Sequence, residues 1–249
     1  MGLCNSKIKL KSGVKFSEIK HEIKPFDLIL FRGSELVSDT IAFIEKYFIG
    51  DGSWTHVGMA VTTDVLPIKN GIDGKLYILE STMSGKLGDG VNNVETGKGD
   101  FGVQIRDLEH VIDKYDNDTD TRIGWCRLIN NPIIKKDDET MTEYDNRMNI
   151  LKENFESYYE AHQDDIFDYN CCALLKAINS NMPKWCGNDN MMFCSELVTE
   201  VYQTIGIIRK DIDPETVAPI ELVNGLNPLF ILPPMTITRE WGKSFLAFF

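Results

Sequence analysis

The chain has 249 residues, is 43% hydrophobic and 26% charged, and carries a net charge of −12. That composition supports a folded core, most simply one large domain, and excludes global disorder. The acidic balance argues against nucleic-acid binding through the phosphate backbone, and no apolar run reaches the ~18 residues of a membrane-spanning helix or forms a secretory h-region.

The charge is uneven. Residues 1–24 hold six lysines against two glutamates, a basic arm in front of an acidic body from 25 to 249. Within that arm, Met1-Gly2-Leu3-Cys4-Asn5-Ser6-Lys7 fits N-myristoylation at Gly2. One acyl chain binds a membrane only marginally, and palmitoylation of Cys4 with Lys7, Lys9, Lys11 and Lys15 on anionic lipid would supply the second signal. The expectation is a cytoplasmic, membrane-associated protein of a eukaryotic cell or of a virus growing in one.

Taken in order, Phe26–Phe31 is a short apolar run that predicts a buried strand. Ile41, Ile44 and Phe48 mark a helix ending near Gly50. Trp54–Val61 and Leu76–Glu80 predict two strands; if they pair antiparallel, His56 and Glu80 become neighbours on one face. Residues 81–100 are rich in Gly, Ser, Asn and Asp and predict a long loop, a type often used as a lid. Strands follow at 103–105 and 123–128, with a helix over 108–115 and an acidic turn at 116–120 between them. Tyr144, Met148, Leu151, Phe155 and Tyr158 recur at helical spacing. A second helix is expected over 169–178. Phe193, Leu197, Val201 and Ile205 then form the apolar face of a helix, with Asp189 or Asn190 as its cap and Gly206 as its stop. The proline-broken tail is expected to wrap the surface.

The six cysteines, Cys4, Cys126, Cys171, Cys172, Cys186 and Cys194, are irregularly spaced and fit reduced thiols better than a disulfide framework. No CxxC or HxxxH pair supports a metal site, and no cofactor is expected. Cys194 stands at a predicted helix start, where partial positive charge favours a thiolate. A nucleophilic cysteine needs a base, and the base needs an orienting group. His56, at a strand edge, is the best base among the four histidines; His21, His110 and His162 fall in exposed segments. Glu80 is the orienter, expected to accept the Nδ1 proton of His56. The backbone N–H of Cys194 is a candidate oxyanion donor.

These residues stand in a recognisable order: Asp27-Leu28-Ile29-Leu30-Phe31, then Thr55-His56-Val57-Gly58-Met59, then Glu80-Ser81, and late in the chain Phe193-Cys194-Ser195-Glu196-Leu197-Val198. The chain resembles the circularly permuted papain-like hydrolases of the NlpC superfamily, in particular the YaeF/YiiX-like amidase group and its poxviral relatives. In that group the histidine precedes the cysteine, as here. Thr216–Leu222 also looks like the group's Ser/Thr-Pro segment, and the similarity covers about residues 25 to 223. The resemblance implies an α+β fold with a small antiparallel sheet packed against helices, a Cys194 nucleophile, a His56 base and a third polar residue at Glu80. The 81–100 and 107–121 inserts and the acylation pattern depart from compact members. The related lecithin retinol acyltransferase-like branch has an Asn-Cys-Glu-His context where this chain has Phe-Cys-Ser-Glu.

The expected activity is a thiol hydrolase acting on a peptide, amide or ester bond through an acyl-enzyme. The alternatives are lipid acyl transfer or phospholipase action on an acyl-lipid substrate, and an inactive module that binds through the same cleft.

Overall fold

Leu28, Ile29, Leu30 and Phe31 are all fully buried, so this strand has an apolar layer on both sides. The computed structural model describes residues 13–32, 54–82, 90–115, 122–167, 191–224 and 235–238. Their order is β1 (Val14–Lys15), α1 (Phe16–Ile19), β2 (Leu28–Arg32), β3 (His56–Val61), β4 (Tyr77–Thr82), β5 (Gly102–Asp107), α2 (Leu108–Tyr115), β6 (Arg122–Cys126), α3 (Met141–His162), β7 (Ile166–Phe167), β8 (Met191–Met192), α4 (Cys194–Thr204), a 3-10 turn (Pro214–Thr216), α5 (Pro219–Asn224) and β9 (Met235–Thr238). The fold is α+β. Among the described residues, the main sheet has seven strands in the order β1-β9-β6-β2-β3-β4-β5. All its pairings are antiparallel except that of β1 with β9.

Side chains alternate across the sheet. Leu28, Leu30, Val57, Met59, Leu79 and Ile105 face one layer, with Met148, Leu151 and Phe155 of α3 and Leu197, Val201 and Tyr202 of α4. Ile29, Phe31, Ala60, Ile78 and Trp125 belong to the other, with Leu108, Val111 and Ile112 of α2 and Phe16 and Ile19 of α1. Burying four consecutive apolar side chains of the LILF type contributes roughly 1.5–3 kcal/mol each, which makes β2 the anchor of both layers.

The expected strands before the site appear within a few residues of their predicted ends, as does the helix at α2. The helix begun at Met141 runs on to His162, opened by a capping box in which Thr140 and Glu143 bond each other's backbone N–H. Two parts of the sheet differ from expectation. Residues 13–24 close the basic arm in sequence, yet β1 pairs with β9 and Phe16, Ile19 and Ile23 are buried; their spacing of three to four is a helical apolar stripe. In the tail, Met235–Thr238 is a strand between β6 and β1, and the β-branched Thr-Ile-Thr alternation carries that signal. Ser81 and Thr82, expected in the loop, belong to β4 instead, and residues 83–89 of that loop lie outside the described residues. Residues 90–98 are tied to the body: Asn93 bridges Arg106, Val94 N–H donates to Ile105 O at 2.8 Å, and the Tyr159 hydroxyl donates to Glu95 at 2.5 Å. The helices expected over 38–50 and 169–178 and the acidic turn lie outside the described residues, as do Gly2 and Cys4.

Candidate functional site

His56 is the first residue of β3 and pairs across the ladder with Phe31 of β2. On its other side, β3 meets β4 with Met59 opposite Leu79. Continued by one pair, that register sets Glu80 opposite Gly58 and His56 diagonal to Glu80 on the same face. Gly58 stands between them: a Cβ there would lie 3.2 Å from the Glu80 Cβ and 2.5 Å from Ile78 Cδ1. The glycine opens the space through which the two side chains meet. His56 Nε2 is 2.5 Å from Glu80 Oε2, with the histidine side chain 12% exposed and the glutamate fully buried. The sequence placed these two residues together; the ring nitrogen differs. Glu80 takes Nε2, not the expected Nδ1, because the diagonal approach from β4 meets the far side of the ring.

Glu80 continues into a third strand. Arg106 of β5 lies opposite Ile78, again two positions out of register from Glu80. Its Nε donates to Glu80 Oε1 at 2.7 Å, and Nη2 is also 2.7 Å from that oxygen. Each carboxylate oxygen therefore has its own partner. Burial pulls the Glu80 carboxyl up, but the Arg106 charge and then the His56 contacts outweigh it and hold the group at about 2. Arg106 escaped the sequence reading. A single arginine in Val103-Gln104-Ile105-Arg106 looks like a solvated strand position, and only the Glu80 register shows that it points into a buried face.

Cys194 opens α4, the position its flanking sequence predicts. The cap is Phe193 rather than Asp189 or Asn190, and Glu196 accepts the Phe193 N–H at 3.0 Å. Phe193 offers no side-chain oxygen of the kind that Ser, Thr, Asp or Asn brings to a helix start. The Leu197 N–H closes the first helical bond on Phe193 O, and Gly206 at φ +78° ends the segment as expected. Two contacts seat this helix start beside the sheet. Ser81, next to Glu80 but on the opposite face, donates its hydroxyl to Met192 O at 2.6 Å in the interior. The β7–β8 pair, Ile166 to Met191, lies against β5 through the Val103 N–H to Asp165 O bond of 3.0 Å. Gly102 makes that approach possible: its φ is +99°, and a Cβ would strike Asp165 O and Ile166 Cα.

The sulfur and the imidazole interact. Burial of His56 favours the neutral ring, yet the charge interaction and hydrogen bond with Cys194, followed by those with Glu80, raise it to about 10. With Nε2 on Glu80, Nδ1 is the nitrogen left for the sulfur. Cys194 is buried, 6% exposed. The structure thus brings Cys194, His56 and Glu80 into one cluster and adds Arg106 behind it.

The remaining candidates lie elsewhere. His110 is exposed beside Asp107, and His162 bonds Asp165 at 2.6 Å near the end of α3. Cys126 is buried against Asp27, and burial pushes its thiol well up, the opposite of a reactive environment. Asp27, fully buried, accepts N–H donors from Lys24, Leu128 and the Trp125 indole at 2.9–3.0 Å, a structural carboxylate satisfied from three sides. Among the described residues, no group of three His, Cys, Asp or Glu side chains is placed to hold a metal ion, and no helix is long and apolar enough to cross a membrane. Neither protein-family models nor curated protein sequences show any match to this chain.

Proposed function

We propose that the protein is a cysteine hydrolase of the permuted papain-like kind, with Cys194 as nucleophile, His56 as acid–base and Glu80 as orienter. The observation that carries this is the His56 ring shared between a buried carboxylate on Nε2 and the sulfur at the start of α4. His56 takes the Cys194 proton, and the thiolate attacks the carbonyl carbon of an amide, peptide or ester. A C–S bond forms as the carbonyl π pair moves to oxygen, which sits toward the first-turn N–H groups of α4. Collapse breaks the bond to the leaving group, which takes the His56 proton. Water then gives one proton to His56 and attacks the thioester, releasing the acid and returning the proton to the thiolate. Glu80 stays ionised throughout, since it is held at about 2. No step calls on a cofactor.

The Gly2–Cys4 pattern and the neighbouring lysines favour a membrane surface as the place of work. Substrates carried on or near that surface, acyl lipids among them, are the class to screen. The test is Cys194 alkylation by iodoacetamide across pH, resolved by mass spectrometry. Cys194 is expected to react fast near pH ~6.5, where an ordinary thiol of pKa ~8.5 is protonated, and His56→Ala is expected to abolish that reactivity. A Cys194 no more reactive than buried Cys126 sinks the hydrolase and leaves a binding module.

A further inference from the structure

We propose that Arg106 is a positioning residue of this site: its guanidinium grips Glu80 Oε1 so that the carboxylate stays charged and keeps Oε2 turned toward His56. The inference rests on the hydrolase reading above and assigns it a fourth member. Glu80 and Arg106 are both fully buried. The two nitrogens of Arg106 that reach Glu80 fall on the same oxygen at 2.7 Å, while the other oxygen meets His56. One carboxylate thus divides its lone pairs between a cation that never titrates and one that does.

The backbone fixes this division. Arg106 and Glu80 project from adjacent strands in a six-pair ladder running from Tyr77–Asp107 to Thr82–Gly102. On the free side of β5, Asn93 bridges Arg106. Directly opposite Glu80 in the ladder, Gln104 donates to the carbonyls of Thr82, Asp100 and Gly102. Without the guanidinium, a carboxyl in this interior would take up a proton. It would then no longer stabilise an imidazolium. The Glu80 carboxylate thus lies between two cationic partners, the Arg106 guanidinium and the His56 ring, and a buried charge is tolerated when it is paired in this way.

Other titratable groups on the surrounding elements are turned to their own partners. Lys75 and His110 sit on Asp107, and Lys20 on Glu109. Asp100 accepts from Asn93 and Thr96. On the α4 side, Glu196 holds the Phe193 N–H, Glu200 accepts from Tyr158, and Asp165 pairs with His162. Asp113, Lys114 and Tyr115 complete α2, where Tyr115 packs its ring on Phe31.

The experiment compares wild-type full chain with Arg106→Gln, Arg106→Lys, Glu80→Gln and the paired Glu80→Gln/Arg106→Gln. The readout is the pH profile of Cys194 alkylation in protein shown to be folded by circular dichroism. Arg106→Gln is expected to narrow the reactive window from its acid side, with the midpoint at which Cys194 becomes reactive rising by up to about one pH unit, a tenfold loss of proton affinity at His56. Arg106→Lys keeps the charge but not the fork and recovers the window in part. The pair carries no buried charge from either residue and folds where the single variant fails; its profile is expected to match Glu80→Gln alone, because Arg106 acts through Glu80. A residue needed only for folding would lower the yield without moving a midpoint. A folded Arg106→Gln with the wild-type profile, or a pair shifted beyond Glu80→Gln, overturns the proposal while the hydrolase stands. An inert wild-type Cys194 overturns both.

Discussion

Glu80 ties the stability of the protein to pH in a way that can be read directly. Its carboxyl is fully buried and held at about 2, against 4.5 for an ordinary glutamate. A depressed carboxyl stabilises the fold above its unfolded value, and the contribution disappears as pH falls toward the folded one. At 1.36 kcal/mol per unit, the difference amounts to about 3 kcal/mol, present at pH 7 and draining away between pH 4.5 and 2. Glu80→Gln at neutral pH removes the carboxylate that the buried Arg106 guanidinium grips and is expected to cost roughly 3–5 kcal/mol. The paired Glu80→Gln/Arg106→Gln removes that penalty and provides a folded background. Urea unfolding of wild type and pair, followed from pH 7 to pH 3 by fluorescence, gives the stability of each at every step. The other carboxylates, including Glu139 held low by Arg147 on the surface, titrate alike in both proteins and drop out of the difference. Wild type is expected to lose about 2 kcal/mol more than the pair between pH 7 and pH 3. Equal acid slopes would refute the claim that Glu80 is a buried anion.

Three substitutions probe how the site is seated. Gly58→Ala forces a methyl against Ile78 and Glu80; it is expected to cost about 1–3 kcal/mol in urea unfolding and to slow Cys194 alkylation, and an unchanged alkylation rate would show that Gly58 does not set the His56–Glu80 approach. Ser81→Ala removes the 2.6 Å bond to Met192 O and leaves a buried carbonyl without that donor, at about 1–3 kcal/mol, with the alkylation rate dropping as the start of α4 loosens. Gly102→Ala meets both a left-handed φ and the backbone of 165–166; a thermal melt is expected to show a larger loss than Gly58→Ala, since backbone yields less readily than the tip of an isoleucine.

The parts of the site that were legible in sequence are those whose physics is local. His56 and Glu80 announce themselves at the ends of two apolar runs. Cys194 stands where helical periodicity begins, and Gly206 supplies a left-handed stop. Antiparallel pairing of neighbouring strands is the cheapest connection, so His56 and Glu80 meet for reasons a sequence can show. Arg106 and Ser81 are different. Their roles depend on a register two residues out of line and on a strand that meets a helix start far along the chain. The choice of Nε2 over Nδ1 likewise follows from the angle at which β4 approaches the ring. The short strands at the two ends of the chain were hidden for another reason: two or four residues are too few to show a period, and the β1–β9 pairing joins segments that no local pattern links.

The bond from Ser81 to Met192 spans 111 residues, and it sets the order in which the site can come into being. His56, Glu80 and Arg106 belong to the β3-β4-β5 run, three strands that neighbour one another in chain and in space, and contacts of that kind close early. The thiol leaves the ribosome much later, with α4. During synthesis the residues of the proposed relay are therefore all made before Cys194, and the cysteine can join them only once α4 has been made. A chain cut short before α4 would carry the relay without the sulfur.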